Sequence, residues 1–333
     1  MKDSAFSSSV EMLTPIWQRL LQRSSIGARE DFFELGGDPG VAIELFDEIV
    51  RVCGRKLSPL MIYQAPTITA LASMLEQEAP PRLPPLIPMK SGTAWPPIFI
   101  AHGMGGSVME FFHLVKYIQL PYPIYGLQAK GSEGIDTPLE TIEDMAQFHL
   151  DAVKELQPHG PYVFLGHSLG GLVALEMARR VLAAGEAVAL LAMLDSYPHI
   201  LRLPLGQRAR VFARRAKNSA ASRLNKFLRM GGKEVPNRRQ AGLPLSPATQ
   251  RVRAGAQLAL SSYKPRFYRG DIKFVRAAIG SVFPDDPAAV WGHLASRFQV
   301  ETVPGDHNGM LRTHFESLAA VLSGYLREAL CQQ

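Results

Sequence analysis

The sequence predicts an α/β protein, a parallel sheet covered by helices on both faces, preceded by a small all-α bundle. Three observations predict it. From residue 98 onward, short apolar runs alternate with helical patterns, as buried strands joined by crossover helices do. Before residue 78 the periodicity is helical throughout, with no strand signal. Between the two lies "EAPPRLPPLIPMKSGTAWPP" (78–97). Proline fixes φ and removes a donor, so this stretch reads as a semi-extended linker.

The elements follow in order. In the head, Met12, Ile16, Leu20 and Leu21 recur at helical spacing over 9–22, and Val41, Leu45, Ile49 and Val52 do so over 40–53. "SPLMIYQAPTITALASMLEQ" (58–77) gives a short helix, a break at Pro66 and a further helix from near Thr67. The expected division is a bundle over 1–80, a linker over 81–96 and a larger domain over 97–331. In that domain the expected strands are "IFIAH" (98–102), "YPIYGLQ" (122–128), "YVFLGH" (162–167), "ALLAMLD" (189–195), "IKFVRAA" (272–278) and "FQVETV" (298–303). "TIEDMAQFHLDAVKELQ" (141–157) and "LVALEMARRVLAAG" (172–185) are the clearest helices between them. The stretch from about 200 to 260 breaks the alternation and reads as an insertion of mostly helical pieces.

Composition narrows the class. With 333 residues, 47% hydrophobic and 20% charged, the chain is an ordinary globular protein of about two domains. No apolar run is long enough to span a bilayer, and "MKDSAFSSSVEML" lacks the apolar core of a secretory signal. Cys53 and Cys331 are far apart and show no metal-ligand spacing, which argues against a disulfide framework and fits a reducing cytoplasm. Cys53 falls in an amphipathic pattern and is expected as a small buried hydrophobe. Charge is uneven: residues 1–80 hold seven Lys+Arg against eleven Asp+Glu, whereas 200–270 hold seventeen against the single acid Glu234.

The most informative stretch is "FLGHSLGG" (164–171). Gly166-His167-Ser168-Leu169-Gly170 fits G-x-S-x-G between a strand and a helix, where a sharp turn strains the serine and exposes its Oγ. A serine at its free pKa is a poor nucleophile and needs a base oriented by a third group. In this architecture the chain order is serine, acid, histidine. "VETVPGDHNGML" (300–311) puts His307 just past the last strand; His199, beside the insertion, and His293, in a helical pattern, fit less well. For the acid, Asp195 ends a strand, where such sheets gather catalytic groups. Asp285 and Asp286 are an alternative placement, although that pair also suits a cap for the helix after Pro287. Asp306 adjoins His307, and neighbours in an extended loop usually point apart. An oxyanion needs two donors. The backbone N–H of Leu169 would be one, and that of Met104, in the loop "AHGMGG" (101–106), the other.

Residues 97–331 resemble the thioesterase domain that ends non-ribosomal peptide and polyketide synthetases, an α/β-hydrolase, through "IFIAHGMGG", "YVFLGHSLGG", "LLAMLDSYP" and "VPGDHNGML" in the family's order. Residues 10–78 resemble a peptidyl carrier domain through "DFFELGGD" and "IYQAPTITALA". The resemblance implies an α/β-hydrolase sheet with a helical lid at about 200–260. It also implies a reaction: Ser168 takes an acyl chain from a pantetheine thioester, with His307 as base and Asp195 orienting it. The chain is then released to water or to another nucleophile.

The carrier departs from its family at one position. The serine that bears the phosphopantetheine arm maps to Pro39, which has no hydroxyl, and Gly40 follows. Pro39 still suits the first helical position after a capping Asp38. The head is therefore expected to fold without an arm, and the substrate to arrive on the phosphopantetheine of another carrier or synthetase module. No bound cofactor or metal is expected. The basic insert brings no nucleic-acid recognition motif or aromatic platform, so nucleic acid is not an expected partner. Its charges suit a solvated face, or an acidic carrier whose encounter they would speed. An alternative is a general acyl-CoA or carboxylester hydrolase whose head serves only for docking.

Overall fold

The computed structural model describes residues 2–78, 81–214, 216, 246–279, 284 and 286–330, without the side chains of 2–7. The head consists of α1 (Lys2–Leu20), α2 (Pro39–Cys53), a 3₁₀ turn (Pro59–Tyr63) and α3 (Ile68–Leu75). Helix α1 starts well before the apolar pattern does. Its first residues are polar, so periodicity could not reveal them.

Local chemistry sets the head's boundaries. Asp38 accepts the Val41 N–H at 2.9 Å and Pro39 takes the first helical position of α2; Gly54 closes the helix in the left-handed region. Thr67 caps α3 by accepting from Ala70 N at 3.1 Å. Trp17, Phe32, Leu45, Phe46, Ile49, Ile62 and Leu71 are buried, and Trp17 meets Phe32 edge-on at 5.3 Å. Each such side chain withdrawn from water stabilises the bundle by roughly 1.5–3 kcal/mol. The buried face of α2 is Ala42, Leu45, Phe46 and Ile49. That is rotated from the expected stripe: Val52 is 51% exposed and Cys53 is exposed, its thiol directed to the Ile49 carbonyl at 3.1 Å.

The larger unit begins with β1 (Leu86–Lys90), inside the stretch read as linker. It pairs antiparallel with β3, and the register shifts between Pro88 and Lys90. Proline is tolerated on such an edge because it need not donate to a neighbour. The rest is β2 (Ile98–Ala101), a 3₁₀ turn (Val108–Phe111), α4 (Phe112–Tyr117), β3 (Ile124–Leu127), α5 (Ile142–Leu156), β4 (Tyr162–His167), α6 (Leu169–Ala183) and β5 (Val188–Leu194). A 3₁₀ turn (Ile200–Arg202), α7 (205–214) and α8 (Pro247–Ser262) lie between β5 and β6. Residue 215 and residues 217–245, within the stretch read as the insertion, lie outside the described residues. Then come β6 (Tyr268–Ala277), α9 (Pro287–Trp291), β7 (Ala295–Val303), α10 (Gly309–Arg312) and α11 (Phe315–Leu330).

The seven strands run in the order β1-β3-β2-β4-β5-β6-β7, all parallel except β1. The apolar runs divide by parity, because successive side chains in a strand point to opposite faces. Ile98, Ile100, Val163, Leu165, Ala192 and Leu194 join one core, which α4 and α11 cover. Phe99, Ala101, Tyr162, Phe164, Leu191 and Met193 join the other, under α5, α6 and α8. This two-sided burial explains why the strands read as continuous apolar runs rather than alternating ones. The first core continues into the head, where the Phe33 ring lies 4.9 Å from Tyr63 and 5.5 Å from Phe112 of α4.

Candidate active site

Ser168 stands at the turn from β4 into α6 with φ 56° and ψ −118°, a conformation that a side-chain-bearing residue holds only under constraint, at a cost of about 1–3 kcal/mol. The constraint comes from neighbours on both sides. Ser168 N–H donates to the Leu194 carbonyl at 2.9 Å, tying the turn to β5. A Cβ on Gly166 would come 2.1 Å from the Gly170 carbonyl oxygen, and one on Gly170 would come 2.2 Å from that of Ala101. The glycines of G-x-S-x-G are thus required by backbone packing, as the motif's mechanics predicted.

Asp195 follows the last residue of β5 and is 4% exposed. Its φ of 46° is also in the left-handed region, and its own N–H donates to Val275 in β6 at 2.8 Å. One carboxylate oxygen faces the Ala277 N–H at 3.4 Å; the other accepts from His307 Nδ1 at 2.8 Å. With Nδ1 carrying the shared proton, Nε2 keeps its lone pair, the arrangement a general base needs. Residues 112 positions apart are therefore joined by one charge-assisted bond.

The weaker candidates do other things. Asp286 caps α9 by accepting from Ala289 N at 3.1 Å, and Asp285 lies outside the described residues. Asp306 accepts from Gly309 N at 2.6 Å and Asn308 N at 3.2 Å, turned toward α10. His199 Nδ1 accepts from Leu201 N at 3.4 Å in the 3₁₀ turn that it precedes, and His293 sits in a turn before β7 rather than in a helix.

Leu169 opens α6, so its N–H is among those left free at a helix N-terminus, where the dipole favours negative charge. Met104 lies half-buried in the loop after β2. Four further residues were not singled out by sequence reasoning. His167, the strand's last residue, is 3% exposed and stacks on His307 with ring centroids 4.6 Å apart. Its Nε2 donates to the His307 carbonyl at 3.0 Å, and its Nδ1 faces Glu110 Oε2 at 3.7 Å. His102 Nδ1 donates to the Gly103 carbonyl at 2.8 Å. His149, on α5, meets the His102 ring at 5.8 Å. Burial pushes both His102 and His149 below the ordinary histidine range, so both are neutral near pH 7. Within G-H-S-L-G the residue before the serine could have been flagged as active-site lining. Nothing local marks the other three.

Fold and site define a serine hydrolase on the α/β-hydrolase scaffold. Residues 96–325 match the thioesterase domain family, and residues 12–75 match the phosphopantetheine attachment site family. The chain belongs to the thioesterase domain family, in the form found in nonribosomal peptide synthetases, with a carrier-type head. It is 32% identical over 291 residues to a dimodular nonribosomal peptide synthase of Bacillus subtilis (strain 168), covering 81% of this chain and 12% of that protein. It is 33% identical over 175 residues to enterobactin synthase component F of Escherichia coli (strain K12), covering 51% of this chain and 14% of that one. The chain thus spans a small part of the curated relatives it matches. Among solved structures, a holo four-domain nonribosomal peptide synthetase bound to AMP and glycine superposes with TM-score 0.60 at 21% identity, covering 97% of this chain and 26% of that one. The type II thioesterase BorB of the borrelidin cluster does so with TM-score 0.52 at 20% identity, covering 73% and 96%. At these identities the structural likeness speaks for the fold. Among the described residues, no helix is long and apolar enough to cross a membrane.

Proposed function

We propose that this thioesterase releases an acyl or peptidyl chain from a thioester presented by another carrier, with Ser168 as nucleophile, His307 as base and Asp195 as its orienting acid. The observation that carries the reading is the 2.8 Å bond from His307 Nδ1 to Asp195, with the His307 ring stacked on His167, the residue before a serine held at a strained strand-to-helix turn. Ser168 Oγ attacks the thioester carbonyl while His307 Nε2 takes its proton. The Met104 and Leu169 N–H groups receive the oxyanion. The C–S bond then breaks, and the proton passes from His307 to the departing thiolate. Water, or a nucleophile within the chain itself, attacks the acyl-serine in the second half of the reaction, giving hydrolysis or cyclisation. Helix α8, whose Val252 lies against Gly106 in the loop after β2, belongs to the lid that the family resemblance implies. Exposed Arg202, Arg210, Arg251 and Arg253 lie in or beside it and suit an acidic carrier.

The head's own site does not fit the prosthetic group its family carries. Pro39 occupies the first helical position of α2, offers only ring methylenes where a hydroxyl is needed, and is followed by Gly40. Ser24 and Ser25 precede the motif on the far side of Asp31–Asp38. The head is thus a folded bundle without an arm, and delivery is in trans.

Incubation with coenzyme A and a phosphopantetheinyl transferase, read by intact mass, is expected to leave the protein's mass unchanged, while Pro39→Ser gains the arm. Arm addition to the parent chain would overturn the reading of Pro39 and restore delivery in cis.

A further inference from the structure

Gly103 is held at both of its backbone hydrogen-bonding groups. Its N–H donates to Glu110 Oε1 at 2.5 Å, and its carbonyl accepts from His102 Nδ1 at 2.8 Å. The packing around it is as close as a glycine permits: a Cβ there would lie 3.0 Å from Glu110 Oε1 and 3.2 Å from His167 Nδ1. The Gly103 carbonyl and the Met104 N–H belong to one peptide unit. That unit is trans, so the two groups point in opposite directions across a rigid plane. The carbonyl is anchored by His102 and by the Gly106 N–H at 3.1 Å, and this fixes where the Met104 N–H points.

Glu110 comes from the 3₁₀ turn Val108–Phe111, which is itself fixed in place. Ser107 Oγ caps it, accepting from Met109 N at 3.3 Å, and Val108 N–H donates to the buried Gln128 side chain at 3.1 Å. The second oxygen of Glu110 faces His167, whose ring stacks on His307. Burial pushes the Glu110 carboxyl up, but the His167 side chain and the Gly103 N–H outweigh it, so the group is a carboxylate near neutral pH. One carboxylate thus touches the loop carrying Met104 and the histidine that lies against His307. The Ser–His–Asp constellation needs neither contact to form.

We infer that Glu110 is a positioning residue for the oxyanion donor: with His102 it clamps Gly103, sets the direction of the Met104 N–H, and holds that loop in register with the His167–His307 stack. This rests on the reading of Met104 as an oxyanion donor and of Ser168 as the nucleophile. A donor displaced by a fraction of an ångström loses much of its worth, because it must meet the oxyanion rather than the ground-state carbonyl.

The test uses Glu110→Ala, Glu110→Gln and Ser168→Ala in the full chain, assayed on a small soluble thioester, with amide hydrogen exchange followed at Gly103. Glu110→Ala is expected to lower kcat about ten- to hundredfold with KM little changed, and to speed exchange at Gly103. Glu110→Gln keeps an oxygen that accepts the Gly103 N–H, and is expected to restore slow exchange and most of kcat. Unchanged exchange at Gly103 in the alanine variant, an unchanged kcat, or a glutamine variant as impaired as the alanine one would overturn the inference. The Ser168→Ala arm separates the two readings. Full turnover there defeats the catalytic assignment, while the exchange measurement still decides whether Glu110 holds the loop.

Discussion

Ser168→Ala is expected to lower kcat for release from a carrier-bound thioester by about 10⁴–10⁶-fold while leaving the thermal unfolding midpoint near that of the parent chain. Alanine removes one oxygen from a half-buried position and adds no atom to a crowded one. It forfeits the covalent route altogether, because no other hydroxyl occupies the turn after β4. What remains is substrate binding and the oxyanion donors, which alone leave about 10³–10⁴-fold over water in triad enzymes. The backbone strain at φ 56° stays, since alanine is no freer there than serine. Steady-state release of the free acyl product, measured beside the parent chain, checks this; turnover within tenfold of the parent would contradict the assignment.

Asp195→Asn carries the second largest expected effect, a fall in kcat of about 10³–10⁴-fold with the structure intact. The carboxylate does two things in this geometry. It accepts the Nδ1 proton at 2.8 Å, and in the proposed mechanism it thereby keeps Nε2 as the base and stabilises the imidazolium formed when Ser168 gives up its proton. Asparagine is isosteric but neutral, and can present its amide N–H₂ to the ring and hold the wrong tautomer. Lost stabilisation of that order corresponds to about 4–5.5 kcal/mol of barrier. The measurement is kcat for Asp195→Asn compared with Asp285→Asn and Asp286→Asn. Asp286 caps α9 through an oxygen that asparagine keeps, so Asp286→Asn is expected to change both stability and activity little. A larger loss at 285 than at 195 would move the acid to the alternative position.

Much of this was legible in the sequence because it is encoded locally. G-x-S-x-G announces a strand-to-helix turn through glycines that neighbouring backbone requires, Asp195 follows a strand whose apolar run is plain, and His307 lies in the loop after the mixed strand β7. Capping chemistry placed the start of α2 at Asp38–Pro39, and the break at Pro66 placed that of α3 near Thr67. Other features escaped for physical reasons. Strand β1 hides among prolines because an edge strand tolerates them. The buried face of α2 shifts by a residue because the stripe of apolar residues on that helix is wider than the contact it makes, leaving Val41 half-buried and Val52 exposed. The clamp on Gly103 depends on residues from two turns and a strand end meeting in space, and no spacing along the chain encodes that meeting.

The head and the catalytic unit tell different stories about the same carrier chemistry. The head has a carrier-type fold, with a core of Trp17, Phe32 and Phe46, and the proposed function takes Pro39, at the first position of α2, to stand where the arm-bearing serine would be. The same proposal makes Ser168, with His307 and Asp195, the group that receives the acyl chain. The central claim is therefore that the acyl group comes from outside and lands on Ser168. Mixing the protein with a separately prepared carrier bearing an isotope-labelled acyl thioester, quenching, and mapping the label by peptide mass spectrometry tests it most directly. The account predicts label on the peptide containing Ser168 and none on the head; label on a head peptide, or release without acylation at Ser168, would contradict it.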